Sequence, residues 1–145
     1  MLTLSPLRCR RIVFFATCAA LAGCAEKPRP SAPPATPEFS ADVVGGAKQC
    51  AAPDVTLTEG RTVDATMRVG NDGGWCAIAV QLDGKPYAAG LLTTSPEHGN
   101  VFIHPVGDNT RIDYTPELGF AGHDRFTVEL IPGNPMIRVG VTVTP

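Results

Sequence analysis

The chain has 145 residues, with 12 basic against 14 acidic side chains and a formal net charge of −2. That balance supplies no basic stripe, which excludes nucleic acid as a partner. Once its N-terminal third is set aside, about 100 residues remain to fold, enough for one modest core and one domain.

In chain order, the sequence opens MLTLSPLRCRRIVFFATCAALAGC. Arg8, Arg10 and Arg11 make a positive start, and residues 12–21 make an apolar run. The run is too short for a membrane-spanning helix, which needs about 20 apolar residues. A basic start, a short apolar segment and then small residues are the layout of a secretory signal peptide. Leu21, Ala22, Gly23 and Cys24 close it, and these four resemble the lipobox of bacterial lipoproteins. The resemblance implies that residues 1–23 are removed and that Cys24 carries acyl chains, palmitate among them. It further implies a membrane partner held through the lipid. Ala25 stands where lipoproteins kept at the inner membrane often have Asp, which favours the cell outer membrane. Loss of the three arginines leaves nine basic and 14 acidic side chains, a net charge of −5. Anionic lipid is then not attracted by charge, so attachment rests on acyl chains at about 0.8 kcal/mol per buried methylene.

Residues 24–46 hold the lipidation candidate Cys24 and a segment rich in Pro, Ala and Ser without apolar periodicity. Proline removes amide donors and fixes φ, so this stretch reads as a disordered, extended linker of roughly 3 Å per residue. Residues 47–145 read differently. Val55 and Leu57 alternate with threonines before a Glu59-Gly60 turn, and Val63, Ala65, Met67 and Val69 share one face. After the turn NDGG, Cys76, Ile78, Val80 and Leu82 share another. Residues 101–104, Ile112 with Tyr114, Phe126 with Val128 and Leu130, and Ile137 with Val139, Val141 and Val143 complete the set. Period-two alternation is the mark of strands with one buried face. Seven to eight antiparallel strands at this spacing predict an all-β sandwich or barrel.

Five cysteines are present. Cys9 and Cys18 leave with the signal peptide and Cys24 takes the lipid, so Cys50 and Cys76 remain in an oxidising compartment where disulfides persist. Cys76 shares its face with Ile78 and Val80, and a bridge to Cys50 is expected. The alternative, a metal held by both thiols, lacks the paired spacing of a closed zinc site.

The stretch SPEHGNVFIHPVGDNTRIDYTPELGFAGHDRFTVEL carries a second resemblance. Pro96, His98, Gly99 and Val101, then Tyr114-Thr115-Pro116, Gly119-Phe120, Gly122, Asp124 and Phe126, match the C-terminal half of bacterial Ig-like and cadherin-like repeats. The resemblance implies an Ig-like β-sandwich with a structural corner at Tyr114, Pro116, Gly119, Phe120, Gly122, Asp124 and Phe126. Such repeats usually stand in tandem and bind calcium at their junctions. This chain carries one, without a D-x-D or D-x-N-D-N run.

Candidates for chemistry are few. His98 lies in a turn where the family itself tends to have histidine, His104 precedes Pro105, and His123 adjoins Asp124. Neighbours in a strand point apart, and a triad is recognised by convergence rather than adjacency. Met67, Met136 and the histidines form no H-x-H or M-x-x-M pair for copper. Trp75 and Tyr87 are the candidate binding residues, as aromatic anchors if their strand face is turned to solvent; the alternative is that Trp75 packs over the Gly73-Gly74 turn or the disulfide. The sequence thus points to no enzyme, no cofactor and no metal. It points to an envelope lipoprotein whose sandwich binds or assembles with another envelope protein. The alternative reading is a small-ligand or metal-ion binder, for calcium or copper.

Overall fold

The computed structural model describes residues 37–145; the signal segment and Cys24 lie outside them. A four-residue helical turn, α1 (Ser40–Val43), precedes eight strands. These are β1 (Cys50–Ala51), β2 (Thr62–Gly70), β3 (Cys76–Val80), β4 (Ala89–Thr94), β5 (Gly99–Val106), β6 (Asn109–Pro116), β7 (Gly122–Ile131) and β8 (Met136–Thr144). They form two sheets, one in the order β1-β2-β8-β7-β4 and the other β3-β6-β5. The protein is an all-β sandwich.

The alternation seen in the sequence places the core. Ala65, Met67 and Val69 from β2, Ile137, Val139, Val141 and Val143 from β8, and Phe126, Val128 and Leu130 from β7 are buried. They face Cys76, Ile78 and Val80 from β3 with Ile112 and Tyr114 from β6. The Tyr114 and Phe126 rings lie nearly parallel across the core, their centroids 5.8 Å apart. Intervening residues such as Asp64, Thr66 and Arg68 are exposed, as a half-buried strand requires.

Three features depart from the sequence reading. β2 pairs with β8 in parallel over nine residues, from Thr62 beside Met136 to Gly70 beside Thr144. Alternation tells which face is buried, not which way the neighbouring strand runs, so the expected antiparallel pairing fails at β2 and β8. Val55 and Leu57 pack half-buried against the core outside any named strand, just after Pro53, which has no amide to donate. β4 was missed: its sequence AGLLTT does not alternate, and its pairing with β7 slips between Leu92 and Thr94.

Cys50 and Cys76 form a disulfide with Cα atoms 5.2 Å apart, joining the short β1 to the buried start of β3. It closes a loop of sequence separation 26, which chain entropy values at about 3.5 kcal/mol. The Cys50→Ala/Cys76→Ala protein is therefore expected to melt roughly 15 °C lower than the oxidised protein. Calorimetry decides this, and an unchanged melting point would show that the bridge contributes nothing.

Candidate functional site

Two polar clusters lie against the sandwich, one at its corner and one on the outer face of the three-stranded sheet. The corner is built around Asp124 on β7. Its carboxylate accepts hydrogen bonds from the amides of Glu97 (2.9 Å), His98 (2.9 Å) and Arg125 (2.8 Å), and from the Tyr114 hydroxyl (2.9 Å). Burial alone would raise the Asp124 pKa. The three amides and the hydroxyl outweigh it and hold the carboxyl below its ordinary value. Burial, with the Asp124 charge beside it, pushes Tyr114 up. Gly99 is required because a Cβ there would stand 2.5 Å from the Tyr114 ring. Phe120 stacks on His98 at 4.2 Å between centroids, and His98 Nδ1 lies 3.7 Å from the Glu117 carboxylate. Asn71, which sequence reasoning passed over, donates from Nδ2 to the carbonyls of Glu117 (2.7 Å) and Phe120 (2.8 Å). Asp124, Tyr114 and the Asn71 amide nitrogen all hold the turns of this corner, while Asn71 Oδ1 is buried without a hydrogen-bond partner among the described residues.

The second cluster needs the register of β5 and β6. Phe102 lies beside Asp113 and His104 beside Arg111, while Ala79 and Ala77 flank Arg111 and Asp113 from β3. These residues occupy the face turned away from the core. Arg111 forks onto Asp113, with Nε to Oδ1 at 2.7 Å and Nη2 to Oδ2 at 2.8 Å. His104 Nε2 lies 3.1 Å from the same Oδ2. The guanidinium sits 4.0 Å above the Trp75 ring, a cation–π contact.

This face is covered. Residues 39–47 form a strap across the sheet, held to it by the bonds that follow. Arg111 Nη1 donates to the Asp42 carbonyl. His104 Nδ1 lies 3.7 Å from the Asp42 carboxylate. Trp75 Nε1 donates to the Val44 carbonyl at 3.2 Å, and the Ala47 amide donates to the Trp75 carbonyl at 2.8 Å. Asp72 steadies the end of the strap through the Lys48 amide at 2.9 Å and the Gly74 amide at 3.0 Å. Those two bonds hold its carboxyl below the ordinary value. Arg111 and Asp113 are buried by this cover although they lie outside the core. The strap turns Phe39, Val43 and Val44 outward at 66%, 65% and 66% exposure, with Phe102 at 58%.

Of the two candidate binding aromatics, Trp75 belongs to this face and is half-buried beneath Gly45 and Gly46. Tyr87 is buried elsewhere. Its amide donates to Thr110, and it lines an apolar cleft of about 160 Å³ with Leu57, Leu82, Pro132 and Pro135. The two therefore do not form one surface. His123 is exposed and meets only the Thr142 hydroxyl at 3.4 Å. Among the described residues, no three His, Cys, Asp or Glu side chains converge as metal ligands would. The Arg111–Asp113 pair was legible in RIDYT, where opposite charges two apart on a strand must share a face. No protein-family model matches the chain, and no curated protein matches it.

Two outcomes test these clusters. A Cβ on Gly74 would lie 2.3 Å from the Ala47 nitrogen, so Gly74→Ala should lift the strap. Trp75 is the single tryptophan, so its emission should shift to the red and become more accessible to acrylamide, with about 1–2 kcal/mol lost. An unchanged spectrum would disprove the strap contact. The second outcome concerns pH. Asp124 is depressed in the folded state, so its stabilisation is complete above about pH 4, the unfolded value. It is lost as pH falls through the lower folded value. Asp124→Asn should cost about 1–3 kcal/mol at pH 7 and flatten the fall in melting temperature below pH 4. A mutant with the wild-type acid slope would rule this out.

Proposed function

We propose that the chain is a bacterial envelope lipoprotein, anchored through Cys24, whose Ig-like sandwich binds another envelope protein without catalysis. The observation that carries this reading is the covered outer face of the three-stranded sheet. Phe39, Val43, Val44 and Phe102 stand exposed over a floor fixed by the Arg111–Asp113 fork and Trp75. Apolar and aromatic side chains held on a rigid polar support are what a protein interface offers at its centre. Strap contacts that hold the backbone while leaving the side chains out lower the entropy lost on docking.

The small-ligand alternative has less behind it. The apolar cleft beside Tyr87 holds about 160 Å³, below the range of roughly 300–1,000 Å³ typical of ligand pockets. The cleft of about 470 Å³ along residues 54–57 has a mainly polar lining with Asp54, Gln81 and Asn109, where ligand sites are mostly apolar.

The test is in-cell cross-linking of the full chain, followed by purification and mass spectrometry, beside Cys24→Ala and Val43→Asp/Val44→Asp. One abundant protein partner is expected, lost in the anchor variant and reduced at least tenfold in the strap variant. Labelled palmitate should enter the wild type and not Cys24→Ala. Absence of label would refute the anchor, and absence of any partner would refute the binding role.

A further inference from the structure

The sandwich has four sheet edges, and three of them are guarded. β1 is two residues long and stapled by the disulfide, and the part of β2 it leaves unpaired carries the charged, exposed Asp64. β3 is flanked by residues 54–57, which form a cleft with Ala79 and Val80. β5 carries Pro105, which has no amide to offer, and its outer face adjoins the strap. β4 is different. It ends its sheet with β7 on one side and no strand on the other. From Ala88 through Pro96 the chain has no charged residue, and none of residues 89–94 is proline. Leu91 and Leu92, successive and so on opposite faces, are 48% and 37% exposed. Natural edge strands are usually blunted by charge, proline or brevity. Here a slip in register confines the irregularity to the end of the strand, between Leu92 and Thr94, where Thr93 bonds the Thr127 carbonyl. Residues 89–92 are left regular.

We propose that β4 is a pairing edge for a second copy of this chain, joined antiparallel about a two-fold axis. The charges flanking the strand select this occupant. The first charged residue before β4 is Lys85 and the first after it is Glu97, both exposed. Antiparallel pairing of identical strands brings the start of one beside the end of the other, so each Lys85 approaches the partner's Glu97, twice by symmetry. Parallel pairing would instead set Lys85 against Lys85 and Glu97 against Glu97. Within the ladder, apolar and threonine side chains meet their own kind without charge repulsion. The two five-stranded sheets become one continuous sheet, and the uncovered backbone groups of β4 find partners.

The experiment places a photo-cross-linking residue at Leu91 in the full chain expressed in cells, with the same residue at the exposed Leu118 as control. A species of twice the mass, containing this chain alone, is expected from position 91 and not from 118. Glu97→Lys should reduce it roughly tenfold, because two symmetry-related attractions become repulsions, and Lys85→Glu/Glu97→Lys should restore it. Cross-links from position 91 to a different protein only, or none, would overturn the second copy as occupant. A dimer indifferent to both charge variants would overturn the antiparallel arrangement.

Discussion

The structure turns on β6, the middle strand of the smaller sheet, because it is buried on both faces while only one of them is apolar. Ile112 and Tyr114 face the core, and Arg111 and Asp113 face away from it. A strand with charged residues on its outer side normally leaves them in water. Here the strap removes that water, and a charge without water needs a partner in good geometry. The planar guanidinium meets this demand on three sides: its fork on Asp113, its face on Trp75, and its remaining edge on the Asp42 carbonyl. Lysine, a compact charge without a fork or a stacking face, would meet only part of it. The polar network is thus what fixes the strap in one place, since α1 is a single turn with little apolar surface against the sheet.

The same strand governs the corner at its other end. Tyr114 reaches from β6 across the core to Asp124 on β7, which links the two sheets by a hydrogen bond, beside the covalent Cys50–Cys76 link and the packing of the apolar side chains. Asp124 then organises the turn before β5 by accepting two successive amides, Glu97 and His98. Asn71, at the end of β2, closes the loop after β6 from the opposite sheet. One buried carboxylate and one amide therefore set the path of two loops, which explains why this stretch needs Gly99 where any side chain would strike the tyrosine ring.

What the sequence disclosed follows from what alternation and spacing encode. The buried faces of β2, β3, β7 and β8 were plain because a period of two survives wherever one side of a strand meets the core. The Cys50–Cys76 bridge was expected from the cysteine count, given the oxidising compartment that the sequence's opening suggested. Strand direction was not, since a parallel and an antiparallel neighbour bury the same face. β4 was hidden because an edge strand that rests on its sheet without a fully buried side has no reason to alternate. The strap was hidden for a related cause: its bonds to the sheet run largely through backbone carbonyls and amides, at Asp42, Val44 and Ala47, which any sequence possesses. Only its complement was visible, in the paired charges of RIDYT and in Trp75, and those gain meaning only when a cover is known.

The order of these contacts along the chain has a mechanical consequence. Anything that holds the protein upstream of residue 39 acts first on the strap, then on the Ala47–Trp75 bond, and then on Cys50. Up to that point the resisting contacts are hydrogen bonds, the Asp42–His104 pair and the packing of Gly45 and Gly46 on Trp75, each weak taken singly. At Cys50 the load passes through a covalent bond to Cys76, which lies fully inside the core at the start of β3. Peeling beyond it requires breaking the sandwich itself. The disulfide therefore does more than restrict the unfolded chain, for it marks where a pull from upstream passes from separate weak contacts to the sandwich itself. Three of the four exposed side chains of the candidate binding surface, Phe39, Val43 and Val44, are carried on the segment upstream of that point, with its polar bed beneath. A partner that covers Phe39, Val43 and Val44 would close the strap more firmly onto Arg111 and Trp75, since binding to the docked strap opposes its release by mass action.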